Sequence, residues 1–196
     1  MFLKRDDPYL LVVGMTGVKM ADRLLQIGCA NGGRLGAVAA KVGLSGRAVL
    51  AAPDEAIAER GRKGAERAGA LVEVEIAPVT RLPFEAGEFD VAIVDDTEGA
   101  LGMLRAEDRV AAIREIARVL RDAGRVVVIG AAPRGGLGAL LPRAQSGPPF
   151  AGSETARIAL EVDGFRAVRT LAERDGLVFV EAVKPGLRAE SKSPRP

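Results

Sequence analysis

Short runs of apolar and β-branched residues recur along this chain, separated by longer amphipathic stretches. That alternation constrains the fold more than any other feature. The runs cover residues 23–27, 47–52, 71–76, 89–94, 125–130, 165–171 and 177–183. The second and the last four are apolar nearly throughout or β-branched, as expected of strands covered on both faces. Between them, EDRVAAIREIARVLRDAG places Val110, Ile113, Ile116 or Ala117, and Leu120 on one stripe with Arg and Glu opposite, and Gly124 is expected to stop that helix. Pro53-Asp54-Glu55 opens another helix with acids in its first turn, where the helix dipole favours them. Strands alternating with helices predict right-handed crossovers and an α/β, doubly wound, mostly parallel sheet. The last two strands, joined by Glu173-Arg174-Asp175-Gly176, read as a C-terminal antiparallel hairpin.

Composition excludes whole classes of chemistry. The 196 residues contain no His and a single Cys, Cys29. A Ser-His-Asp triad, a His-ligated metal and an intramolecular disulfide are therefore impossible within one chain. No metal is expected. The net charge is +2, with 22 Arg and six Lys interspersed among acids and only seven aromatic residues, so neither nucleic acid nor membrane is expected as a partner. The stretch MFLKRDDPYLLVVGM holds only a short apolar run, Leu10 to Val13, and a cytoplasmic location is expected. A homodimer is compatible with this composition. Residues 1–186 read as a single domain and 187–196 as a disordered polar tail. Residues 133–150, PRGGLGALLPRAQSGPPF, are too rich in Gly and Pro for regular structure. They read as a mobile loop over the ligand crevice, with Arg134 and Arg143 either solvated or attracting an anionic substrate.

The first strand runs into Gly28-Cys29-Ala30-Asn31-Gly32-Gly33 and then a helix over 34–42. Such a turn lets a ligand approach the backbone and aims amide N–H groups at it, although many crossovers need glycine merely to turn. Five segments extend the pattern in order and spacing: LLQIGCANGG, GRAVLAAPDEAIAERGR, TRLPFEAGEFDVAIVDD, REIARVLRDAGRVVVIG and DGFRAVRTLAERDGLVFVEAVKP. Together they resemble a class I S-adenosylmethionine-dependent methyltransferase, of the small branch with an LPF segment before the fourth strand and an RVL-type segment before the fifth. The resemblance spans roughly residues 10–185. It implies a seven-stranded Rossmann-like sheet with an antiparallel last strand, S-adenosylmethionine as cofactor, and methyl transfer to a small-molecule acceptor. Such chemistry suits a chain without His. The sulfonium cofactor arrives activated, and the protein mainly binds, aligns and excludes water.

Carried over position by position, the resemblance sets the methionine end of the cofactor against Gln26, Gly28, Ala30 and Gly32. It sets the ribose against the Ala52 to Asp54 turn and the adenine against Val79 and Thr80. The chain departs from the family at Gln26 and Ala30, which replace an acid and a glycine. It departs again at Ala52 and Pro78, which replace the acids that receive the ribose hydroxyls and the adenine amine. Loss of the ribose acceptor alone removes about 1.5–3 kcal/mol of charge-assisted hydrogen bonding. Asp54 either reaches the ribose instead or is simply a first-turn acid. These losses support an alternative function, a catalytically inactive methyltransferase-like protein retained for binding or assembly.

Asp95 and Asp96 end the fourth strand, where one would orient the acceptor or take its proton. Neighbours on a strand point oppositely, so at most one faces the crevice, and the pair otherwise reads as solvated or as a cap for a helix starting near Glu98. Tyr9 either lines the pocket or packs, and Cys29 is expected to be a small buried residue.

Overall fold

The computed structural model describes residues 7–132, 150 and 154–186. The stretch 133–149, with Arg134 and Arg143, and the tail 187–196 lie outside the described residues.

Seven strands form one sheet: β1 (Arg23–Ile27), β2 (Arg47–Ala52), β3 (Glu73–Ile76), β4 (Phe89–Asp95), β5 (Leu120–Ala131), β6 (Arg166–Arg174) and β7 (Leu177–Val183). Their order is β3-β2-β1-β4-β5-β7-β6. The first five pair in parallel, and β7 runs antiparallel to both β5 and β6. The expected mixed sheet is therefore the observed one. The hairpin turns on Asp175 and Gly176, both at positive φ, which matches the twist of the flanking strands.

The helices are α1 (Leu10–Thr16), α2 (Gly32–Val42), α3 (Glu55–Ala68), α4 (Ala106–Val119) and α5 (Glu154–Val162). Strand parity decides which of them each residue meets. Leu25, Ile27, Val49, Ala51, Val94 and Val128 pack with Ile113 and Ile116 of α4 and Leu160 of α5. On the opposite face, Leu24, Ile93, Val127 and Phe179 pack with Val12 of α1 and Val38 of α2. Burial on both faces is what makes the central strands read as continuous apolar runs, each large side chain contributing about 1.5–3 kcal/mol.

Several boundaries differ from the sequence reading. The helix expected to stop at Gly124 ends at Val119, and the chain passes at Leu120 straight into β5. Residues 121–124 bulge instead: Phe89 pairs with Leu120 and Val91 already with Arg125, while Ala123 sits at φ 57°. Leu120 stays buried and residues 121–123 reach solvent, which mimics one more helical turn in the sequence. β3 begins at Glu73, and Leu71 is exposed. The Leu10 to Val13 run belongs to α1, which Gly17 ends in the left-handed conformation. Near Glu98 there is only one 3-10 turn, Asp96–Glu98, and α4 starts at Ala106. No described helix is long and apolar enough to cross a membrane.

Helices α2 and α3 meet backbone to backbone. A Cβ on Gly64 would lie 2.1 Å from the Gly32 carbonyl oxygen, and one on Gly36 would lie 2.5 Å from that of Gly64. Gly64→Ala should therefore pry the helices apart and cost about 1–3 kcal/mol in urea unfolding. Gly14→Ala, in α1 with no neighbour within 4 Å, should instead be neutral or stabilise by up to about 1 kcal/mol.

Candidate functional site

The loop after β1 is shaped by its own chain. Gly28 has φ +71°, and a Cβ there would crowd the Asp95 carbonyl oxygen at 3.2 Å, so glycine is required. Gln26 is buried and donates from Nε2 to the Gly28 carbonyl at 3.1 Å. The Ala30 amide donates to Asp95 Oδ2 at 3.1 Å. Asp95 Oδ1 accepts from Arg34 at 3.1 Å and from the Thr97 hydroxyl at 2.6 Å. From α3, Arg60 donates to the Cys29 carbonyl at 3.0 Å and pairs with Glu98 at 2.8 Å. Asn31 caps α2 by accepting from the amides of Gly33 and Arg34. Tyr9 lies against Gly33, where a Cβ would fall 2.1 Å from its hydroxyl oxygen, so this tyrosine packs over the loop.

The loop that follows β4 is gripped from both sides. Asp96 Oδ1 accepts from the amides of Leu101 at 2.6 Å and Gly102 at 2.9 Å. Arg109 of α4 donates to the carbonyls of Leu101, Gly102 and Leu104, and its guanidinium stacks over Phe150. The LPF segment is held the same way: Glu115 accepts from the Leu82 amide at 2.9 Å, while Arg118 donates to the carbonyls of Leu82 and Phe84. The two segments that carried the resemblance, LPF and RVL, thus touch each other directly.

Between these loops, at the carboxyl ends of β1 and β2, lies a cavity of about 340 Å³. Ile27, Gly28 and Ala51 line one side, Pro78, Val79 and Thr80 another, and Ala100 with Leu104 a third. Among the described residues, its lining offers two polar side chains, Thr80 and Asp108. A second cavity of about 280 Å³ shares Gly28, Pro53 and Ala100 and continues past Ala30, Asp54 and Asp95. An adenosine-sized group fits the first cavity by volume and apolar contact. Its hydroxyl and amino groups meet fewer acceptors than the resemblance implies.

The sequence-predicted residues divide sharply. Gly28, Val79 and Thr80 lie on the cavity wall, and Ala30 lines the adjoining space. Ala52 does not reach the cavity: it is wholly buried on the opposite face with Cys29, Leu35, Leu50 and Ala58, and Ala51 takes its place at the wall. A one-residue slip exchanges the two faces of a strand. Gly32 serves the contact between α2 and α3, because a Cβ there would meet the Arg60 carbonyl oxygen at 2.5 Å. Gln26 holds the loop from inside. Asp54 is the N-cap of α3, accepting from the Ile57 amide at 2.9 Å. Asp95 and Asp96 are both buried and accept hydrogen bonds from loop atoms, and of the two Asp95 lines the second cavity. The sequence reading missed Arg34, Arg60 and Arg109, which resemble solvated helix residues until their carbonyl and carboxylate partners are known. No group of three metal-ligating side chains occurs among the described residues.

Two measurements check this geometry. Ala52→Asp places an unpaired carboxylate in the α2/α3 core and should lower stability by about 3–5 kcal/mol. Ala51→Asp projects into the cavity and should cost no more than about 1–2 kcal/mol in the same urea titration. Burial, reinforced by the nearby Asp95 carboxylate, pushes the Cys29 thiol up to about 11 from 9.0. A thiol-disulfide reagent at pH 8 should therefore meet about a hundredfold less thiolate than in the unfolded chain. The same shift leaves stability unchanged well below pH 9 and should lower it as pH rises from 9 to about 11, where the folded state resists forming the thiolate.

Comparison with known proteins bears on the family and the fold. A sequence profile described as Methyltransferase domain matches residues 24–124. The ubiquinone/menaquinone biosynthesis C-methyltransferase UbiE of Idiomarina loihiensis is 29% identical over 119 residues, covering 60% of this chain and 45% of that protein. The chain spans less than half the length of the curated relatives it matches. A methyltransferase from Aquifex aeolicus, described as SAM dependent, superposes with a TM-score of 0.70 at 18% identity, over 92% of this chain and 95% of the other. The cyclase SpnF superposes with a TM-score of 0.66 at 18% identity, over 91% and 80%. These two likenesses concern the fold. The profile match covers half of the chain, the sheet has the expected order, and the crevice lies where the glycine loop meets β4: the chain belongs to the class I S-adenosylmethionine-dependent methyltransferase family.

Proposed function

We propose that this protein transfers a methyl group from S-adenosylmethionine to a small-molecule acceptor. The observation that carries the proposal is the cavity bounded by Gly28, Ala51, Val79 and Leu104 at the carboxyl edge of the sheet. In such a sheet that edge is where ligands bind. When bound, the cofactor supplies a methyl group on positively charged sulfur, ready for in-line displacement. The chain supplies the rest. Gly28 admits the ligand close to the backbone, Arg34 and Arg60 keep the loop in shape, and Val79 with Leu104 contributes apolar contact to the base. Arg109 and Asp96 hold the loop that shields this space from water. Asp95, on the wall of the adjoining cavity, would orient the acceptor.

A second reading, a catalytically silent protein kept for binding or assembly, is favoured by Ala51 and Pro78, which offer no acid where ribose and adenine would lie. The fold neighbour SpnF, described as a cyclase, shows that this architecture is not tied to one reaction. Calorimetric titration with S-adenosylmethionine and S-adenosylhomocysteine separates the readings. With two acceptors missing, binding should fall at about 0.1 mM, and Ala51→Asp should tighten it about tenfold. Absence of heat up to about 5 mM in folded protein would overturn the enzyme reading.

A further inference from the structure

We infer that Asp108, in the first turn of α4, receives the exocyclic amino group of the cofactor's adenine in place of the acid lost at Pro78. The inference rests on the cofactor reading above and goes beyond it by assigning a binding residue from a different element. An adenine amine brings two donors into an apolar space, and leaving them without an acceptor forfeits much of their hydration. Among the described residues lining the cavity, Asp108 is the only ionisable one, and Thr80 is the only other polar one.

The register of α4 aims Asp108 at the same segment. Glu115 accepts from the Leu82 amide at 2.9 Å, so that face of α4 runs along the stretch that follows β3. Asp108 lies seven residues earlier, on the same stripe and about 10 Å nearer the helix start. There it shares the cavity wall with Pro78, Val79 and Thr80, the upstream part of that stretch. One carboxylate oxygen, Oδ2, accepts from Arg105 Nε at 2.9 Å in an exposed pair, which leaves Oδ1 for the ligand. The acid has thus moved from the strand side of the adenine to the helix side.

Isothermal titration with S-adenosylhomocysteine, and with its analogue in which hydrogen replaces the purine amino group, tests this directly. The unaltered protein should prefer S-adenosylhomocysteine by about tenfold. Asp108→Asn, nearly the same shape and without charge, should shrink that preference below about threefold at an unchanged unfolding midpoint. Arg105→Ala removes only the exposed partner and should preserve the preference. Equal weakening of both ligands by Asp108→Asn, or no weakening of either, would overturn the assignment while leaving the cofactor reading intact. Failure of both ligands to bind the unaltered protein would remove that reading and the assignment together.

Discussion

The carboxylate of Asp95 is the contact on which the crevice depends. It lies at the end of β4, almost wholly buried, and takes the Ala30 amide on one oxygen and Arg34 with Thr97 on the other. Three pieces of chain distant in sequence thereby acquire one geometry: the glycine loop, the start of α2 and the turn after β4. A buried ion pair of this kind adds little net stability over an apolar replacement. Removing one partner, however, strands a charge in the interior, so the arrangement is enforced. The crevice inherits its shape from that enforcement.

Around this contact, arginines from the flanking helices do a common task. Arg60 takes carbonyls of the glycine loop, Arg109 those of the loop after β4, and Arg118 those of the LPF segment. Loops without regular partners leave backbone carbonyls that need donors, and a planar guanidinium can serve several at once. The excess of Arg over Lys in the chain is explained at these three positions by backbone support. The same division of labour explains why the absence of His is tolerated: the side chains around the crevice hold shape, and a bound cofactor would bring the reactive group.

Much of the architecture was legible before the structure. Continuous apolar runs such as AVLAA and VVVIG announce strands covered on both faces, and Asp175-Gly176 announces a tight hairpin. The same continuity hid the detail that mattered at β2. A run that is apolar on both faces carries no alternation, so nothing in it distinguishes Ala51 at the cavity from Ala52 in the α2/α3 core. Glycines are ambiguous in a related way. Gly28 is a conformational and close-approach requirement beside the cavity, whereas Gly32 admits the backbone of a neighbouring helix. Both read alike along the chain because glycine records that something comes close and not what it is. The Arg121 to Gly124 stretch looked helical because its one buried neighbour, Leu120, falls at helical spacing, while long-range pairing with β4 dictated a bulge.

On the proposed function, a cavity stripped of its usual strand-side acids still takes the nucleoside end of S-adenosylmethionine, against Ala51, Val79 and Leu104. A crystal structure of the protein grown with S-adenosylhomocysteine measures this directly. The purine should lie between Val79 and Leu104, with the ribose beside Ala51 and Pro53 and the glycine loop unmoved. Well-ordered crystals whose cavity stays closed to the nucleoside at saturating ligand, or that hold it elsewhere on the sheet, would contradict it.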